Sequence, residues 1–387
     1  MAQDINIPVT PSAPGAAHNL APVSNSARQP IPNTYFHMSE EELDERIQDA
    51  RHTLGKRLTI LGHHYQRSDI IKYADLRGDS YKLARFAEEQ EDAEYIIFCG
   101  VNFMGETADI LSKPEQKVIL PNLDAGCHMA DMAPTQDAYD CWDDLTEVVS
   151  TDRVMPVTYM NSTAAIKALV GKNGGIVSTS SNNDKIFQWA QERREKILFF
   201  PDQYLGANTW NKLNWDRTKV TKWNPYLELG GNTKEQLDDA RLILWAGFCS
   251  VHKRFTLDQV KSARENNEGI KVIVHPECTE DVADASDYVG STEYIIQMVT
   301  DAPSGTKWAI GTEINLVGRL QEENPDKLIF CLDPVVCPCS MMYRIHPAYL
   351  AWVIENLVEG KVINQISVDQ ETAHFAKLGL DRMLQVT

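Results

Sequence analysis

RLTILGHHY (57–65) opens the ordered pattern of this chain. An apolar, β-branched run of this length reads as a strand buried on both faces. A helix follows in GDSYKLARFAEEQ (78–90), then a strand YIIFCGV (95–101), a short helix around GETADIL (105–111) and a strand KVILP (117–121), after which comes Cys127. The same order returns twice. VMPVTYMN (154–161), STAAIKALV (162–170), GGIVSTSS (174–181), DKIFQWAQERR (184–194), KILFFP (196–201) and LILWAGF (242–248) lead to Cys249. KVIVHPE (271–277), VGSTEYIIQMVTDA (289–302), KWAIGT (307–312), INLVGRLQEE (314–323) and KLIFCLD (327–333) lead to Cys337 and Cys339. Buried strands alternating with amphipathic helices give short parallel sheets joined by crossover helices. The expected fold class is therefore α/β, built from three αβα modules.

Working outward sets expected boundaries. Residues 1–35, rich in Ala, Pro, Ser and Asn, read as a disordered tail. Ser39 with Glu42 three residues on marks the first helix start, and Gly55 its end. The first module is expected over 36–128, completed by the C-terminal helices of 341–387; the second over 129–250; the third over 251–340. Within the second, 203–236 reads as an irregular, Trp- and Asn-rich insertion.

Composition excludes several function classes. The net charge of −18 opposes binding to nucleic acid or anionic membranes, and no basic patch offsets it. No run of about 18 apolar residues exists to span a membrane. Residues 1–35 lack a secretory signal and hold one Lys or Arg, Arg28, so a cytoplasmic protein is expected. Eight cysteines in 387 residues are too sparse for a disulfide scaffold and point to free thiols or a metal site. The chain has no GxGxxG, P-loop, GxSxG, HExxH or CxxxCxxC run.

The repeat extends to polar residues. The first strand of each unit ends in two functional side chains at i and i+2: His63 and Tyr65, Tyr159 and Asn161, His275 and Glu277. In an extended chain such pairs point the same way, which turns His64 away and makes it structural. Each unit also places a serine near a helix start or strand end: Ser80, Ser180 and Ser291, the last followed by Thr292. A helix start offers N–H groups and a hydroxyl to an anion, although each serine is equally a helix cap. Ligands of open parallel sheets bind at the carboxyl ends of strands, so these groups are expected to meet in one pocket. Tyr, His and Glu there suit proton transfer.

Cys127, Cys249 and Cys339 each follow a unit's last strand, where a loop is expected. Thiolates are the preferred ligands of iron–sulfur clusters, and three of them would leave one iron open as a Lewis acid. Zinc is the rival metal, with Cys337 or His252 as a fourth ligand. Cys99 and Cys331 read as core residues, and Cys141 and Cys278 carry no motif.

The stretches HHYQ, DLRGDS, GVNFMGETADIL, LPNLDAGCHMADM, TYMNSTAAIKA, STSSN, WAGFCSVHKRF, VHPEC, GSTEYI, IGTEINLVGRL and CSMMYRI, in that order, resemble the quinolinate synthase family of de novo NAD biosynthesis. The resemblance implies three modules related by pseudo-threefold symmetry around one [4Fe–4S] cluster held by Cys127, Cys249 and Cys339. It implies a transferase that condenses iminoaspartate with dihydroxyacetone phosphate into quinolinate, coupled to an enzyme that supplies iminoaspartate. It places His63, Ser80, Ser180, Ser291 and Thr292 on carboxylate or phosphate groups, Tyr65, Tyr159 and Glu277 in proton transfers, Asn161 and His275 on the intermediates, and His252 in the pocket. The third cysteine departs from the family's Cys-Pro-x-Met: aligning MYRI selects Cys339, with Cys337, which keeps the proline, as the alternative. The insertion and the first 35 residues are further departures. Two other readings are a diphthamide-type three-module enzyme and a protein whose iron–sulfur or zinc site is purely structural.

Overall fold

The structure, a computed structural model, describes residues 30–386 except 91, 336 and 337. Its strands form three sheets. The first holds β1 (Leu58–His63), β2 (Leu76–Gly78), β3 (Tyr95–Cys99) and β4 (Lys117–Ile119) in the order β2-β1-β3-β4, all parallel. The second holds β5 (Val154–Tyr159), β6 (Ile176–Ser178), β7 (Lys196–Phe200), β8 (Val220–Trp223) and β9 (Leu242–Trp245) in the order β6-β5-β7-β9-β8, again parallel. The third holds β10 (Lys271–Val274), β11 (Tyr288–Val289), β12 (Lys307–Gly311) and β13 (Leu328–Cys331) in the order β11-β10-β12-β13, parallel throughout. A last strand, β14 (Gln365–Ile366), adds antiparallel to β4. The α/β class with mostly parallel sheets is thus what the chain forms.

Strand order determines where a site can lie. In every sheet the first strand is flanked by the second and the third, so the chain reverses direction of travel across the sheet at that strand. Such a switch point opens a crevice at the strand's carboxyl end. β1, β5 and β10 end in the polar pairs singled out above.

Burial explains why these runs become strands. β1, β3, β5, β7 and β9 are buried along their full length, which needs cover on both faces. The first sheet is covered in part by the helices Glu40–Leu54 and Pro347–Val358, through Ile47, Leu54, Leu350 and Ile354. Ser39 starts the former helix by accepting a hydrogen bond from the Glu42 N–H at 3.1 Å, and Gly55 ends it at a φ of 55°. The second and third sheets each have apolar clusters on both sides.

Three expectations need correction. Residues 1–29 of the expected tail lie outside the described residues, but Asn33–His37 forms a 3₁₀ turn and Tyr35 donates a hydrogen bond to the Glu355 carboxylate. Order therefore begins before residue 36. Residues 203–236 are not irregular: Gln203–Lys212 is a helix capped by Asp202, and β8 is a parallel edge strand of the second sheet. Its tryptophans pack inward, with the rings of Trp210 and Trp215 4.7 Å apart and Trp223 buried. Finally, the helix Gln370–Gln385 does not complete the first unit. It lies on Ala164–Lys172 of the second, through Ala376, Leu380 and Met383. Gly171 and Gly379 make that approach possible, because a Cβ on Gly171 would stand 1.9 Å from the Phe375 carbonyl oxygen.

Candidate active site

The ends of β1 and β10 make the same turn. After β1 the Tyr65 N–H donates to His63 Nδ1 at 3.1 Å and the Gln66 N–H to the His63 carbonyl at 2.9 Å. Beyond β10 the Glu277 N–H donates to His275 Nδ1 at 3.4 Å and the Cys278 N–H to the His275 carbonyl at 3.0 Å. Each imidazole accepts at Nδ1, so its neutral form carries the proton on Nε2. Burial favours that form: it pushes His275 down to about 3 and His63 well below its ordinary value, the nearby Arg319 cation adding to the effect on His63. At the end of β5, the Met160 N–H donates to the Ser178 carbonyl at 2.7 Å, and Tyr159 and Asn161 flank that bond.

These turns converge on Glu277. Its carboxylate lies 2.9 Å from His252 Nδ1 and is hydrogen-bonded to Tyr159. Burial alone would raise its pKa; His252 beside it and the bonds from His252 and Tyr159 outweigh burial and hold it below the ordinary carboxylate value. The site thus keeps a buried carboxylate ionised. The His252 and His275 rings stack at 4.5 Å, and His252 Nε2 lies 3.1 Å from Thr312 Oγ1. Thr312 also meets Tyr65 OH at 2.9 Å, and Thr292 meets it at 3.1 Å. Burial and the Glu277 charge push both Tyr65 and Tyr159 well above the usual phenol value. Two neutral phenols and two neutral imidazoles therefore surround one carboxylate.

Hydroxyls border this group. Ser80 donates toward Asn161 Oδ1 at 3.4 Å, and Ser180 is hydrogen-bonded to Tyr159. One cavity of about 300 Å³ is lined by His63, Tyr65, Ser80, Tyr159, Asn161, Ser180, His252, His275, Glu277 and Thr292, together with Cys127, Cys249 and Cys339. Ser291 is the exception: it caps the helix Thr292–Thr300, accepting from the Tyr294 N–H at 3.3 Å, and does not line the cavity. His64 turns away as its strand position requires and meets Glu293 at 2.9 Å.

The three cysteines share one local design. Each precedes a single short turn of helix: His128–Asp131, His252–Arg254 and Met342–Arg344. The backbone N–H three residues on, of Ala130, His252 and Met342, donates to the sulfur of Cys127, Cys249 and Cys339 respectively. Amides aimed at sulfur favour the thiolate. Burial works against it, pushing Cys127 up to about 12 and raising Cys249 and Cys339. A cationic metal group is what would bring three such thiols to thiolates together. No disulfide is formed by any of the described cysteines. The donor set, three sulfurs from three sheets on one cavity wall, fits an iron–sulfur cluster. The zinc alternative needs the three sulfurs and His252 around one ion, but among the described residues the ligand atoms within 4.8 Å of one another are those of Cys249, His252 and Glu277, without Cys127 and Cys339. Cys99, Cys141 and Cys278 are buried in the cores and Cys331 is half-buried at the end of β13, while Cys337 lies outside the described residues.

Several residues of the site were not singled out in the sequence. Thr312 and Glu313 follow β12 within the family-like stretch IGTEINLVGRL, and Asp202 follows β7; their position just past a strand was a further signal. Asn208, on the presumed insertion, donates from Nδ2 to the carbonyls of Pro276 and Cys278, both at 2.8 Å, and so ties down the turn bearing Glu277. Arg254 also lines the cavity, paired with Asp333 at 3.0 Å.

Residues 45–385 match the family model described as quinolinate synthetase A protein. Among curated relatives, a quinolinate synthase of Corynebacterium glutamicum is 53% identical over 374 residues, covering 96% of this chain and 95% of that protein. One from Herpetosiphon aurantiacus is 53% identical over 355 residues, 91% of this chain and 94% of its own length. One from Bacillus anthracis is 46% identical over 358 residues, 92% and 96% respectively.

Proposed function

The chain belongs to the quinolinate synthase family, enzymes of NAD biosynthesis, and from that premise we propose that it condenses iminoaspartate with dihydroxyacetone phosphate to quinolinate, phosphate and water. The observation that carries this reading is the convergence of three cysteines, one per sheet, with Tyr65, Tyr159 and Glu277 on one cavity.

Cys127, Cys249 and Cys339 would hold a [4Fe–4S] cluster, and its fourth iron supplies a Lewis acid for a substrate oxygen. The chain's own groups perform the remaining work. Ser80, Ser180 and Thr292 offer hydroxyls, and neutral His63 offers an Nε2–H, to the carboxylates and phosphate of two anionic substrates. Glu277 is the ionised group and the natural proton acceptor, with His252 holding its carboxylate in place. Tyr65 and Tyr159 stay protonated, so each donates to an oxygen or imine nitrogen before giving up a proton. Asn161 and His275 face the intermediates. Ser291 contributes through its cap, which fixes Thr292 at the first turn of its helix.

The three sheets, alike in strand order, support reading the fold as three modules, 36–128, 129–250 and 251–340, related by pseudo-threefold symmetry about this cavity. No helix among the described residues is long and apolar enough to cross a membrane. We place the protein in the cytoplasm, working beside an enzyme that supplies iminoaspartate, with no nucleic-acid partner.

The test is to purify the chain without oxygen, count iron and sulfide, and follow quinolinate formation from iminoaspartate and dihydroxyacetone phosphate. A cluster-loaded chain that makes no quinolinate overturns the reading.

A further inference from the structure

Two carboxylates stand directly behind the cysteine loops. Asp202 lies two residues past β7 and Glu313 two residues past β12, equivalent places in their sheets. Both are fully buried, at 0% exposure. Each caps the helix that follows. Asp202 Oδ1 accepts from the N–H groups of Tyr204 at 2.8 Å and Leu205 at 2.7 Å. Glu313 Oε2 accepts from the Asn315 N–H at 2.8 Å, and Oε1 from Asn315 Nδ2 at 2.8 Å.

Capping does not require a buried carboxylate, since serine or asparagine caps a helix as well. A further bond distinguishes these two. Asp202 Oδ2 accepts the N–H of Cys249 at 3.2 Å, and Glu313 Oε1 accepts the N–H of Cys339 at 3.1 Å. The amide that each carboxylate holds, across 47 and 26 residues of chain, is that of the cysteine itself. Fixing that amide fixes where the side chain leaves the backbone, and hence where the sulfur points. At the first sheet the corresponding loop is held differently. Asn102 donates from Nδ2 to the Leu123 carbonyl at 3.3 Å and from its backbone to the Ala125 carbonyl at 2.9 Å, and neither bond touches Cys127 itself.

We infer that Asp202 and Glu313 are positioning residues that hold the Cys249 and Cys339 loops in metal-ready form before any metal binds. This rests on the ligand assignment made above. The first loop, held by a neutral amide through carbonyls, lacks this device.

The test uses the full-length chain carrying Asp202→Asn or Glu313→Gln. Both variants keep the side-chain volume and an oxygen that can still cap the helix; each replaces the oxygen that accepts the cysteine N–H with an amide NH2. Hydrogen exchange is measured on metal-free chain, and iron and sulfide on chain purified without oxygen. Leaving a buried donor without its acceptor lowers its protection about ten- to a hundredfold. Exchange around Cys249 should rise by that factor in Asp202→Asn, and around Cys339 in Glu313→Gln, with the other loop and the Cys127 loop unchanged as internal controls. Iron content should fall in each variant. Unchanged exchange in the matching loop overturns the inference, as does a rise spread over all three loops, which would mark a general loss of fold. If the parent chain binds no iron, the cluster reading fails, while the exchange measurement still decides whether the carboxylates hold the loops.

Discussion

Asn208→Ala would remove one side chain outside the cavity and should reach the chemistry through Glu277. The Asn208 amide donates to the carbonyls of Pro276 and Cys278, both at 2.8 Å, which bracket Glu277 in the chain. Both bonds are buried, so the substitution strands two carbonyls. Each such loss costs about 1–3 kcal/mol, and relaxation of the turn brings the pair to about 2–4 kcal/mol. At about 2.1 cal/mol/K of unfolding entropy per residue, a chain of 387 residues has a total near 0.8 kcal/mol/K, so Tm should fall by ~3–5 °C. If the freed turn lets the carboxylate move by even an ångström, kcat should drop about 10- to 100-fold. KM should change little, because Ser80, Ser180 and Thr292 stand on other elements. Asn208→Asp should be worse than Asn208→Ala, since it sets a carboxylate against two carbonyl oxygens. The assay is initial-rate kinetics normalised to iron content, with calorimetry on the same samples. Wild-type kcat and Tm in Asn208→Ala, or an Asp variant as active as the parent, would refute the reasoning.

Other substitutions test separate parts of the account. Glu277→Gln keeps the volume but removes the buried charge, so iron content should hold while kcat falls about 10²- to 10⁴-fold; turnover within tenfold of the parent would show that Glu277 moves no essential proton. Gly171→Ala drives a Cβ to within 1.9 Å of the Phe375 carbonyl oxygen and should cost about 1–3 kcal/mol in urea unfolding by displacing the last helix; an unchanged midpoint would contradict the close packing. Lys167 is fully buried, and burial, opposed by Glu106 and Cys127, lowers its pKa from 10.5 to about 7. Between those values the unfolded chain holds a proton that the folded chain does not, so this lysine makes stability rise with pH across that window. Lys167→Met should flatten that rise, and an identical pH profile would show that the amine is not buried neutral.

The sequence made the sheets readable because strands covered on both faces must be continuous apolar runs, and 57–65, 154–161 and 271–277 are such runs. It also made most of the cavity readable, because a strand's period of two sends i and i+2 the same way, as with Tyr65 beside His63. What it hid has a common cause. Asp202, Glu313 and Asn208 act on backbone groups of residues 26 to 70 positions away, and a backbone amide or carbonyl leaves no trace in residue identity. The helix Gln203–Lys212 was concealed because Asn, Trp and Gly dilute its apolar stripe, and it is shaped by what it packs against. Ser291 caps its helix and does not line the cavity. A serine before a helix has two uses, cap and ligand, and spacing alone does not separate them.

The most direct test of the account is ⁵⁷Fe Mössbauer spectroscopy on chain purified without oxygen, recorded with and without quinolinate. The expected result is four irons per chain in a sulfur environment, one of which changes its signal when quinolinate is added. Iron that is absent, or four irons that all ignore the added quinolinate, would contradict the claim that three cysteines from three sheets hold a cluster with one open iron.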